Sequence, residues 1–109
     1  MKVWDPVKRE LIDVIEYRSE LFDISTTGTD LITLDGKTFF LRTVNAINSN
    51  TVDVTVTISD GTVDLLSIVV PASGEKTITE IRGYYFKDKV TARASTTGVK
   101  MSVGGLREI

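Results

Sequence analysis

The stretch from Thr51 to Ser59 constrains this chain more than any other, because Val52, Val54, Val56 and Ile58 alternate with Thr51, Asp53, Thr55, Thr57 and Ser59. Successive side chains of a strand point to opposite faces, so the segment reads as an antiparallel strand with one dry and one wet face. Asp60-Gly61 follows and then Thr62-Val63, which returns the chain through a tight hairpin. Within Thr62 to Val70 the apolar phase shifts between Leu65 and Leu66, the mark of a bulge or of a strand buried on both sides.

The same grammar extends over most of the chain. Leu31 to Leu34 and Thr38 to Ile47 make strands around Asp35-Gly36. Lys76 to Ile81 follows Pro71-Ala72-Ser73-Gly74, and Gly83 separates it from Tyr84-Tyr85-Phe86. Lys87-Asp88 turns the chain into Val90, Ala92 and Ala94, and Thr96-Thr97-Gly98 turns it into Val99, Met101 and Val103. About seven or eight short strands at this spacing predict a mainly β fold, an antiparallel, jelly-roll-like β-sandwich. No segment among them has room for a crossover helix, which excludes a parallel sheet. At 109 residues the chain fits one such domain and buries a core without staples.

The first 25 residues follow a different period. Trp4, Val7, Leu11, Val14, Ile15, Leu21 and Phe22 recur at gaps of three and four, with Asp5 as a capping residue and Pro6 in the first helical position. This predicts an amphipathic helix from Pro6 to about Leu21, ahead of a polar joint at Ser25-Thr26-Thr27-Gly28. The β-branched residues Val7, Ile12, Val14 and Ile15 argue against it. The rival reading is a strand at Leu11 to Tyr17 within an extended arm. The division expected is therefore a helix or arm over residues 1–25 and a sandwich over residues 26–109.

Composition excludes much chemistry. The chain has no His and no Cys, which removes His-based triads, Cys nucleophiles, His/Cys zinc sites and disulfides. Lys and Arg number 13 against 15 Asp and Glu, a net charge of -2 that gives no bulk attraction to nucleic acid or anionic membranes. The start of the chain carries Lys8, Arg9, Glu10 and Asp13 where a secretory signal needs an apolar stretch, so no signal peptide is expected. Asp53, Asp60 and Asp64 cluster near a turn, but they lack the spacing of a calcium loop and read as a solvated strand face. No phosphate-binding or dinucleotide-binding glycine pattern occurs, and Gly98 and Gly104-Gly105 stand alone. Without His, a catalytic Ser would need a Lys partner, and none is indicated. The expectation is a non-enzyme with no cofactor and no metal.

Two groups of apolar residues suit an interface. Trp4, Val7, Leu11 and Val14 form a stripe that must be covered by the domain itself or by a neighbouring subunit. Tyr84 and Tyr85 belong to an aromatic run in which Tyr85 faces away from its neighbours, so either is a partly buried edge residue or a platform for a sugar.

The residues from Lys37 onward resemble a small β-sandwich module of tailed-phage virion proteins. The likeness rests on Gly36-Lys37-Thr38-Phe39-Phe40-Leu41-Arg42, then Asn45-Ala46-Ile47-Asn48-Ser49-Asn50 before the alternating strand. Val69-Val70-Pro71-Ala72-Ser73-Gly74, Phe86 to Ser95 and Gly98 to Gly105 are similar to the module's later strands. Lys87 stands where the module usually has Gly, and residues 1 to about 30 do not match. The resemblance implies a structural role in a virion, in capsid decoration or in a fibre, collar or tail. It also implies capsid or tail subunits as partners, homo-oligomers that are often trimers, and synthesis in a host cytoplasm.

Overall fold

Eleven strands form two antiparallel sheets in the computed structural model, which describes residues 1–109. They are β1 (Lys2–Asp5), β2 (Glu10–Arg18), β3 (Phe22–Ile24), β4 (Thr29–Thr33), β5 (Phe39–Asn48) and β6 (Val54–Asp60). The rest are β7 (Val63–Val70), β8 (Gly74–Ile78), β9 (Tyr85–Phe86), β10 (Lys89–Ala94) and β11 (Val99–Glu108). One sheet runs β1-β2-β11-β5-β8, with β3 also pairing β11 and β9 also pairing β5. The other runs β4-β10-β6-β7. The chain passes back and forth between the sheets, so neighbours in a sheet are mostly distant in sequence.

The predicted dry face is the core. Val54, Val56 and Ile58 are fully buried between the sheets with Phe39, Leu41, Phe86, Val90, Ala92 and Met101. Val52 falls outside β6 and is exposed. The phase shift seen at Leu65 is a bulge: Ser59 pairs Asp64 and Ile58 pairs Leu66, which leaves Leu65 without a partner. The Asn48-Ser49-Asn50 segment closes the passage from β5 to β6. Asn48 is buried and donates from Nδ2 to the carbonyls of Val52 and Val70, while its Oδ1 accepts from the Asn50 amide. At the turn before β10, the Asp60 carboxylate accepts from the amides of Lys87, Asp88 and Lys89. Lys87 itself keeps a negative φ, so the turn does not require the glycine usual in the phage module.

The predicted N-terminal helix is not present; this segment is the β1–β2 hairpin followed by β3. Asp5 does cap, as expected, with Oδ1 accepting from the amides of Val7 and Lys8. A single turn forms and closes with the Arg9 amide on the Asp5 carbonyl. Arg9 then adopts φ 59°, a left-handed conformation that stops the helix and sends the chain back. Beyond it Ile12 and Val14 are buried while Leu11, Asp13 and Ile15 are exposed. That period of two, with β-branched residues along it, is satisfied by pairing with β1 and β11. The rival strand at Leu11 to Tyr17 is the one observed.

Candidate interaction surfaces

The hairpin has two faces of different fate. Trp4 stands opposite Leu11 and Val3 opposite Ile12, so the two pairs lie on opposite sides. Val3, Ile12 and Val14 pack with Phe40 and Leu106 into a second, smaller core. Phe40 alternates with the inward Phe39 and Leu41, which places this small core on the outer face of the larger sheet. The other hairpin face is turned to solvent: Trp4 is 56% exposed, Leu11 61% and Ile15 50%. Val7, in the tip of the hairpin, is exposed as well. The stripe read from the sequence is thereby divided, with Trp4 and Leu11 side by side, Val7 at the tip and Val14 only 1% exposed. Ile15 lies outside the four-residue interface stripe, and the strand period it shares with Leu11 and Asp13 is what places it on the exposed face.

Polar contacts fasten the hairpin down. Asp5 is fully buried and its Oδ2 accepts from the Thr38 hydroxyl at 2.6 Å. Lys8 Nζ donates to Glu108 Oε1 at 2.8 Å, and the same oxygen accepts from the Thr38 amide at 2.9 Å. Burial pushes the Asp5 carboxyl up, but the Thr38 hydroxyl, the Lys8 and Val7 amides and the charge of Lys87 favour the carboxylate more and hold it below its ordinary value. Glu108 follows the same pattern: burial opposes ionisation, and Lys8, the Thr38 amide and Lys37 overcome it. β1 forms one edge of its sheet, so a row of its backbone groups is unpaired beside the apolar face.

Tyr84 packs partly buried against the main core. Tyr85 faces the other way, 37% exposed, with its ring edge-on to Phe40 at 5.5 Å between centroids. The clustered carboxylates are each engaged. Asp53 accepts from the Ala72 amide, Asp60 holds the Lys87–Lys89 turn, and Asp64 forms a two-pronged pair with Arg93 at 2.7 Å on both prongs.

A groove of about 630 Å³ lies on the outer face of the larger sheet. Its floor is Gly104-Gly105, where the pairing with β5 shifts and Arg42 is left over as a bulge residue. A Cβ on Gly105 would overlap the Phe40 carbonyl, and one on Gly104 would lie 2.7 Å from Thr43 Oγ1, so the floor is bare backbone. Arg18 and Glu16 of β2 form one wall; Arg42, Thr43 and the Thr79–Arg82 segment form the other. Gly104-Gly105 read as isolated glycines in the sequence, although a glycine doublet inside a strand is a signal that could have found this bulge; nothing in the sequence brings the three arginines together.

No family model matches the chain, and no curated protein matches it in sequence. Among solved structures it is similar to a subunit from the study "Bacillus endospore appendages form a novel family of disulfide-linked pili", at 14% identity and a TM-score of 0.52 over 89% of this chain and 88% of that one. A pentameric capsid protein isolated from metagenomic phage sequences aligns at 16% identity and a TM-score of 0.32, over 81% of this chain and 60% of that one. The first likeness shows a shared two-sheet β fold.

Proposed function

We propose that this chain is a non-enzymatic structural subunit of a virion, of the capsid-decorating or head-associated kind, that docks on neighbouring subunits through the exposed face of its N-terminal hairpin. The observation that carries the reading is the Trp4–Leu11 pair, exposed on a hairpin that buried Asp5 and the Lys8–Glu108 pair hold rigidly in place. An apolar patch on a fastened scaffold costs solubility and loses little backbone entropy on docking, which suits an assembly contact. The resemblance of Lys37 to Ile109 to the phage module supports a virion as the setting. Trp4, Val7 and Leu11 are the anchors, joined by Ile15, while Val14 supports them from the hairpin's buried face. The partners are capsid or tail subunits and copies of the chain itself.

The fold shared with the Bacillus pilus subunit favours a second reading, a subunit of an extended appendage, fibre or tail. Without cysteine, this chain would join such a polymer without disulfide links. Electron microscopy of the purified full chain, with sedimentation velocity, separates the two. Discrete closed oligomers support decoration, because a closed ring saturates its own interfaces, and open filaments support the appendage. A strictly monomeric chain with no affinity for other virion subunits contradicts both.

A further inference from the structure

The groove over Gly104-Gly105 holds a concentration of unanswered charge. Arg18, Arg42 and Arg82 line it, and none of them takes part in any of the chain's ion pairs. Arg82 donates one N–H to the carbonyl of its own neighbour Ile81, and Arg42 rests over the Phe40 ring at 5.8 Å from its centroid. Burial, and then the like charge of Arg82, destabilise the Arg42 cation, with Tyr85 opposing them in part. Two guanidinium groups thus face one another's field although Glu16 and Glu80 border the same groove and pair with neither. Glu80 is held at φ 60°, an uncommon conformation for a residue with a side chain, in the segment that builds this wall.

We propose that this groove binds an acidic sugar carrying a single carboxylate, with the carboxylate held by Arg42 and Arg82 and the ring hydroxyls by Glu16, Glu80 and Thr43. Guanidinium forks fit a planar carboxylate two bonds at a time. Three arginines against two glutamates leave one net positive charge, which answers one carboxylate and not a polyanion. The chain's net charge of -2 repels polyanions further. The Glu16 and Glu80 carboxylates accept from sugar hydroxyls, the Thr43 hydroxyl donates or accepts, and the side-chain-free floor leaves room for a pyranose ring to approach. A peptide is the poorer occupant: the groove lies on a sheet face whose backbone is already paired, and Leu106 is the one apolar side chain it offers, since the Tyr17 ring packs on the opposite face. This site is separate from the hairpin anchors, so it stands or falls independently of the assembly reading.

The test is a titration of the full chain with two singly charged acidic trisaccharides, 3′-sialyllactose and a glucuronate-capped lactose. Lactose and an uncharged-ended peptide with one Glu serve as comparisons. Saturable binding of at least one acidic sugar is expected, with no binding of lactose. Arg42→Gln and, separately, Arg82→Gln should each weaken it about tenfold or more, the loss of a charge-assisted bond pair. Circular dichroism reports whether each variant is folded, and Arg42→Lys, which keeps the charge but loses the two-pronged fork, serves if Arg42→Gln is not. Failure of both acidic sugars to bind overturns the proposal. So does equal binding of lactose, preference for the Glu peptide, or binding that survives substitution of the arginines.

Discussion

The Thr38 hydroxyl donates to the Asp5 carboxylate at 2.6 Å, joining residues 33 apart in sequence and clamping the N-terminal hairpin to the start of β5. Both residues are fully buried, and Asp5 is also the cap of the hairpin turn through the Val7 and Lys8 amides. One carboxylate therefore satisfies a buried hydroxyl and both amides of the turn.

Asp5→Ala should accordingly destabilise the protein by more than one ordinary hydrogen bond, about 2–3 kcal/mol, because it strands a buried hydroxyl and two amides. Thr38→Val should cost less, since it removes a single donor to a carboxylate that keeps its amides. Urea unfolding monitored by circular dichroism checks both, with the midpoint falling and the slope unchanged. Equal and negligible losses would show that the clamp does not hold the hairpin.

Acid should weaken the same clamp. Asp5 and Glu108 are held below their ordinary values of 3.8 and 4.5 in the folded protein. The unfolded chain then takes up protons first as pH falls, so the stability these groups confer is full above about pH 5 and is lost as pH drops through their lowered folded values. A stability profile from pH 7 to pH 2 should decline below about pH 5, and Asp5→Asn with Glu108→Gln should flatten that decline while lowering the plateau. A profile of unchanged steepness in the double variant would place the acid sensitivity elsewhere.

The sandwich was legible because its strands carry their own period. The alternation of Val54, Val56 and Ile58, the Asp60-Gly61 turn and the phase shift at Leu65 each have a local cause and each appear where the residues place them. The first 25 residues misled because capping is local and the choice of strand is not. Asp5-Pro6 starts one turn in either structure, and what decides is the pairing of β2 with β11, some 90 residues further on, which no local pattern records. The arginine groove was hidden for the same reason. Arg18, Arg42 and Arg82 come from three separate segments and meet only through the order of strands in the sheet.

Gly105→Ala tests the bulge that forms the groove floor. The added Cβ would overlap the Phe40 carbonyl, which is backbone and cannot swing aside. The expected cost is about 3 kcal/mol or more, the size typical of overpacking with backbone displacement. Gly104→Ala meets the Thr43 hydroxyl, a side chain free to rotate, and should cost less. Thermal melts of the two variants side by side give the comparison, and the reverse order would contradict the pairing register described for β5 and β11.

Assembly through the exposed hairpin face rests on Trp4 and Leu11. Removing residues 1–25 cannot test it, because that deletion also strips β2 and β3 from β11. Light scattering of the intact chain beside Trp4→Ala/Leu11→Ala does test it, since both side chains are exposed and their loss leaves the two cores intact. The natural chain should be an oligomer and the variant a smaller, folded species with an unchanged circular dichroism spectrum. An oligomer of undiminished mass in the folded variant would contradict it.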